Sequence, residues 1–177
     1  TKEDQVFNRV KEILESYGTL KESEMKRFNL FYLLSYEEKV AGAQNVKVEI
    51  NRRDFGSKYE VKSYIGIPMK VMIKEDMVAH KLCAMYERIG KTNRDIFDVY
   101  FFLKDNWPVN KQIVEKRTGM TYKEFLQKNI ELLEKTTDRN ILSGMGELLD
   151  EKQKAWVKSK LRTETIFLMK LALDNEK

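Results

Sequence analysis

The chain has one cysteine, one histidine and two prolines among its 177 residues. Each scarcity excludes something. A lone Cys83 cannot form an internal disulfide. Together with His80 it offers two soft ligands where a structural zinc site takes about four, which excludes zinc fingers. A nucleophilic dyad would have to be built on His80 and Cys83, three apart on one expected helix, and no third group is indicated. Two Pro and eight Gly leave little room for linkers or for the turns of a β-sandwich. Long apolar runs are missing too. The longest uncharged stretch, Phe28 to Tyr36, has nine residues, against about 20 for a membrane-spanning helix. The start, Thr1-Lys2-Glu3-Asp4, reads as a polar helix and not as a signal peptide. A reduced cysteine and no export signal point to a cytosolic chain without a membrane partner.

What is present favours a folded, helix-rich chain. Hydrophobic residues reach 42%, too many for disorder. Charged residues reach 34%, above the roughly 25% of ordinary domains. The net charge of +5 permits a nucleotide or nucleic-acid partner without requiring one. Val6, Phe7, Val10, Ile13, Leu14 and Tyr17 recur at helical spacing over Asp4 to Tyr17, and Gly18 ends that helix. Phe28 to Leu34 is a rich apolar run, and Val46 to Asn51 alternates strictly, as strands do. Tyr59 to Tyr64 and Met69 to Ile73 read as two more strands around a turn at Gly66-Ile67-Pro68.

From Glu75 the period becomes helical. One helix runs to about Ile89, and a second runs from Arg94 to about Leu103, with Asp95 placed for a capping box at Thr92-Asn93. Further helices are expected over Tyr122 to Lys135, Asn140 to Leu149 and Glu151 to Leu173. Strands first and helices later make an α+β protein: a mixed-sheet core over 1–74, then a helical region over 75–177.

Three features could carry chemistry. Glu49 and Lys47 sit on the polar face of a strand, where a carboxylate can be aimed at Mg²⁺; the plainer reading is a solvent-facing Lys/Glu pattern. Lys81, Ala84 and Arg88 share a helix face, and two cations on a rigid face suit a polyphosphate; the plainer reading is a solvated face over a core of Met77, Leu82 and Met85. Asp95 and Asp98 share a face of the next helix, opposite Phe97, Tyr100 and Phe101. Buried carboxylates need partners, and Lys81 and Arg88 are the natural ones. That set is either an interhelix salt-bridge network or one wall of an active site.

The run Ala79-His80-Lys81-Leu82-Cys83-Ala84-Met85-Tyr86-Glu87-Arg88, followed by Asn93-Arg94-Asp95-Ile96-Phe97-Asp98-Val99-Tyr100, resembles a paired motif, A-x-K-L-x-A-x-x-x-R … R-D-x-x-D-x-Y. The motif is that of the AbiEii/AbiGii-type nucleotidyltransferase toxins of type IV toxin–antitoxin and phage abortive-infection systems. The resemblance takes in Lys47 to Ile50 and Tyr64 to Val71, and spans residues ~45–105. It implies a polymerase-beta-like nucleotidyltransferase fold that binds an NTP with Mg²⁺ and transfers a nucleotide to an acceptor, tRNA for some relatives, with a cognate antitoxin as partner. By the same resemblance Glu49 is the third, strand-borne metal carboxylate, and Lys81 meets the triphosphate. Asp95 and Asp98 are its acidic pair. Arg88 and Arg94 match its basic positions, and Lys47, Arg88 and Arg94 are expected to face substrate.

The family's first motif, a Gly-Ser or Gly-Gly-Thr turn followed by D-x-D, does not occur in this sequence. The nearest turn of that kind, Ser143-Gly144-Met145-Gly146, is in the wrong place, and no Walker-type phosphate loop replaces it. Either the motif lies upstream or the site is degenerate, and the missing initial Met favours the first. Two other functions compete. Glu60-Val61-Lys62 is an E-x-K that, with Glu49 or Asp54, could serve a metal-dependent nuclease. Lys152, Lys154, Lys158, Lys160 and Arg162 around Trp156 could follow RNA phosphates in a non-catalytic binding module. Packing is the expected role of Trp107, Trp156 and the methionines 69, 72, 77 and 85, and burial that of Cys83.

Overall fold

Thr1 opens helix α1 (Lys2–Glu15) with a capping box: its hydroxyl oxygen accepts from the Asp4 N–H while the Asp4 carboxylate reaches back to the N-cap backbone. The computed structural model describes residues 1–35, 45–145 and 147–176. Those residues divide into two compact units, Thr1–Asp54 and Phe55–Lys177.

In the first unit, α1 is joined by strands β1 (Thr19–Met25), β2 (Asn29–Ser35) and β3 (Val46–Asn51), antiparallel in the order β1-β2-β3. β2 is central because it is the most apolar run. Leu30, Tyr32 and Leu34 on one face are buried, and Tyr32 stacks on Phe7 of α1 at 5.2 Å while donating its hydroxyl to Phe7 O. Ile50, Val48 and Val46 stand opposite those three residues, so the expected alternation of β3 holds. Phe31 pairs with Glu49 and Leu33 with Lys47, so Glu49 and Lys47 occupy the opposite face.

β1 is a strand that periodicity does not reveal. It is a charged edge strand, and a bulge between Leu20 and Glu22 breaks its alternation. Gly18 was expected as the helix terminator. Ser16 caps α1 instead, and Gly18 is required by close approach, since a Cβ there would lie 2.4 Å from Ser35 O.

The second unit begins with an exposed hairpin, β4 (Tyr59–Tyr64) and β5 (Ile67–Met72). Its turn residues are Ile65 and Gly66, both at positive φ, and Pro68 lies inside β5, so the turn sits one to two residues earlier than expected. A two-stranded ribbon consists only of edges, which is why Pro68 is tolerated in a strand. The sheet content of the described residues is therefore two antiparallel sheets.

Five helices follow: α2 (Lys74–Arg88), α3 (Arg94–Lys104), α4 (Lys111–Thr118), α5 (Tyr122–Lys135) and α6 (Glu151–Asp174). Their apolar stripes meet in one core that includes Val78, Leu82, Met85, Ile96, Val99, Phe125, Leu126, Leu133, Val157, Leu161 and Met169. The architecture is α+β, as expected. No helix of the described residues is long and apolar enough to cross a membrane.

Two helical expectations need correction. Residues 140–145 and 147–148 form turns and not a helix, because Asn140 and Gly144 adopt left-handed φ values of 59° and 78°. The spacing of buried Ile141 and Met145 imitates a helix there; Gly146 lies outside the described residues. The capping box at α3 is absent. Asn93 donates its side-chain amide to Asn140 O, and Asp95 turns to another element. Of the four methionines, Met85 is in the core, Met72 and Met77 are half-buried, and Met69 is exposed on the hairpin.

Gly18→Ala is expected to destabilise the first unit by about 1–3 kcal/mol, the usual cost of overpacking against fixed backbone. A thermal melt of the variant checks this, and an unchanged midpoint would show that Gly18 and Ser35 are not held together.

Candidate active site

α2 starts without a side-chain cap on Ile73. Its first turn is held instead by Asp76, a fully buried carboxylate that accepts from the Lys58 N–H and the Asn110 side-chain amide, both at 2.6 Å. Negative charge in the first turn also suits the helix dipole. Asp76 thereby ties the approach to β4 and the start of α4 to α2. No local pattern marks it, because its partners are 18 and 34 residues away.

A five-residue connection containing Gly90 at φ +82° turns the chain back from α2 into α3. The acidic stripe of α3 then meets the basic stripe of α2. Lys81 Nζ lies 2.5 Å from Asp98 Oδ2 and 3.4 Å from Asp95 Oδ1. Arg88 Nη2 is 2.8 Å from Asp95 Oδ2. That last contact is a charge contact whose N–H is not directed at the oxygen, so Asp95 Oδ2 is buried without an aligned donor. The Asp95 side chain is 4% exposed, Asp98 28%, Lys81 34% and Arg88 48%. Asp95 is thus the buried anchor, and the cations open toward water. Arg94 is exposed and forms no ion pair among the described residues.

Glu49 and Lys47 belong to the first unit. Glu49 accepts from the Asn29 side-chain amide at 2.9 Å and pairs with Lys47 at 2.9 Å. It borders a shallow depression of about 290 Å³ with Phe28, Asn29, Asn51 and Arg53, in which it is the sole carboxylate among the described residues. Lys81, Arg88, Asp95 and Asp98 are therefore brought together in one unit and Glu49 with Lys47 in the other.

Mg²⁺ takes oxygen ligands, usually one or two carboxylates with substrate phosphates. The carboxylate of Glu49 already faces an ammonium, and those of α3 face two cations. Among the described residues no group of three His, Cys, Asp or Glu could hold a metal ion. These residues do not fit a Mg²⁺ site by themselves. The same holds for the nuclease alternative, where Glu60 pairs with Lys62 at 3.1 Å on the exposed hairpin.

A second cluster escaped sequence reasoning. His80 contacts Ser57 Oγ through Nε2 at 2.6 Å and Arg117 Nη1 through Nδ1 at 2.9 Å, and Arg117 also pairs with Glu87 at 2.7 Å. Arginine only donates, so Nδ1 accepts and Nε2 carries the proton toward Ser57. Phe55 lies against both the imidazole and the guanidinium. His80 therefore fastens the 55–58 segment to α2 and α4. It is not arranged as a base for Cys83, which is fully buried in the core.

A model of the family described as "Nucleotidyl transferase AbiEii toxin, Type IV TA system" matches residues 1–163. The chain belongs to the AbiEii toxin family. No curated protein matches it. Among solved structures it is similar to JHP933 from Helicobacter pylori at 17% identity, with a TM-score of 0.49 over 89% of this chain. The chain spans 65% of that structure's length. The AbiEii family is described as one of type IV toxin–antitoxin nucleotidyl transferases.

Burial pushes the Cys83 thiol up to about 11, an effect that nearby Arg117 opposes only in part. At pH 8 about one thiol in a thousand is then ionised. The folded AbiEii chain is expected to resist a thiol reagent at pH 8 and to react readily once denatured. Rapid labelling of the native protein would contradict the burial of Cys83.

Proposed function

We propose that this AbiEii chain acts in the transfer of a nucleotide from an NTP to an acceptor such as tRNA, with Lys81 as its contact to the triphosphate. The observation that carries this reading is the Lys81–Arg88–Asp95–Asp98 set, two half-exposed cations on α2 backed by two carboxylates on α3. In such a transfer an acceptor hydroxyl attacks the α-phosphorus. A P–O bond forms there, the bridge to the β-phosphate breaks, pyrophosphate leaves with the electron pair, and the hydroxyl proton passes to solvent. Cations near the departing phosphates favour that charge movement.

The four side chains divide the work. Asp95, nearly water-free, holds Arg88 and, at 3.4 Å, the Lys81 ammonium. Asp98 is the more exposed of the two carboxylates and makes the shorter contact to Lys81. An arriving phosphate competes with Asp98 for the ammonium, while Asp95 keeps the lysine's place on the helix. Arg94, exposed at the start of α3, adds a cation that no carboxylate neutralises among the described residues. Asp95 and Asp98 are thus positioning residues in this proposal. A divalent metal would need more carboxylates than Glu49 supplies among the described residues.

Calorimetric titration of an NTP in the presence of Mg²⁺ tests the proposal. Lys81→Ala is expected to weaken binding by roughly 10- to 100-fold, the range for losing a charge-assisted hydrogen bond. Asp98→Asn is expected to preserve or tighten it, since the competitor for the ammonium is weakened. Equal affinity of Lys81→Ala and the parent would overturn the assignment of Lys81.

A further inference from the structure

Between α3 and α6 lies a groove of about 320 Å³ lined by Phe97, Tyr100, Phe101, Lys104, Lys152, Gln153 and Trp156. That is the lower end of the size of small-molecule sites, about 300–1,000 Å³. Its floor is aromatic. Tyr100 and Trp156 meet at 4.7 Å and Phe97 and Phe101 at 4.8 Å. Phe101 leaves 38% of its surface to water. Its rim is cationic, with Lys104 on one wall and Lys152 on the other. Among the described residues no carboxylate lines it. Lys104 lies over the rings of Tyr100 and Phe101, and neither lysine forms an ion pair among the described residues.

The sequence extends this pattern past both ends of the groove. On α3, Arg94, Phe97, Phe101 and Lys104 recur at spacings of three, four and three, one helical stripe about 15 Å long. On α6, Lys152, Trp156 and Lys160 recur at four. Two basic-aromatic stripes therefore border one apolar slot.

We infer that the groove between α3 and α6 holds an unpaired base of a single-stranded nucleic acid against Phe101 and Trp156, with the flanking phosphates on Lys104 and Lys152. Stacking faces combined with cations along a backbone track are the chemistry by which single strands are held without sequence readout. A purely apolar peptide would leave both lysines unmatched, and an acidic peptide would leave the aromatic faces unused. The site stands beside the transfer reading, to which it would supply the acceptor strand, and it is tested without NTP so that either can fail alone.

The test uses Trp107→Phe, in which the remaining indole, Trp156, reports on the groove. Trp107 is stacked on Phe102 away from the groove residues, so the substitution keeps an aromatic packing partner. A 12-nucleotide single-stranded RNA, the matching DNA and a 12-base-pair duplex are titrated in turn. Binding of a single strand with quenching of Trp156 is expected, and the RNA and DNA titrations assign which strand is preferred. Phe101→Ala should weaken it about tenfold, as loss of one stacking face does. Lys104→Ala with Lys152→Ala should lower the slope of log K against log salt by about 1.4, or 0.7 per phosphate contact. These variants are at exposed positions, and a circular-dichroism melt confirms that each is folded. No binding of either single strand would overturn the inference, as would duplex binding of equal strength, which needs phosphates alone. Concentration-dependent self-association that buries Trp156 would also overturn it, making the groove a contact between copies.

Discussion

Asp95 carries a negative charge into a helical packing that admits almost no water. Removing a carboxylate from water costs several kcal/mol unless cations accompany it. The cations come from α2, and the turn at Gly90 is short enough that α3 must fold back beside that helix to reach them. The ion set thus fixes the pairing of α2 with α3, while the apolar stripes of the same helices, Val78, Leu82 and Met85 against Ile96 and Val99, supply most of the burial. Charge decides which faces meet, and apolar area makes the meeting stable.

This arrangement links stability to chemistry. Were the two cations free in solution, they would sample many rotamers, and ordering them on a ligand would cost entropy. The buried carboxylate orders them beforehand. Because Asp98 and the tips of Lys81 and Arg88 keep contact with water, the outer half of the set can exchange partners while the inner half stays in place. Asp76 and the His80–Arg117–Glu87 group do comparable work lower on α2, anchoring the 55–58 segment and α4 to the helix that carries Lys81. The helix is held along much of its length by polar contacts at its edges, with a greasy side between them.

The long amphipathic elements were legible in the sequence. α2, α3, α5, α6 and β3 fall where periodicity places them, because each buries a regular stripe. The Lys81, Arg88, Asp95 and Asp98 set was legible as well, since i,i+3 and i,i+4 spacing on two adjacent helices is enough to make a contact plausible. What was not legible depends on distance in the chain or on irregular backbone. β1 hides behind a bulge and the charges of an edge strand. α4 spans eight residues and buries little beyond Ile113 and Val114, too few to show a period. The 140–149 segment has helical spacing of apolar residues but left-handed backbone within it. Asp76 and Arg117 find partners tens of residues away, which no local pattern encodes. Glu49 was readable as a polar-face strand carboxylate. Its neighbours Asn29 and Arg53 come from pairing across the sheet and from the strand's far end.

Asp95 and Arg88 act as a unit across α2 and α3, and the ion set depends on that coupling. A double-mutant cycle on stability measures it directly, with Arg88→Met, Asp95→Asn and the pair compared by urea denaturation. The expected result is a coupling of at least about 1 kcal/mol, within the range for residues in one charge network, with Asp95→Asn alone the more damaging single change. Additivity of the two substitutions within about 0.3–0.5 kcal/mol would contradict this and leave the ion set a surface decoration on helices that pack without it.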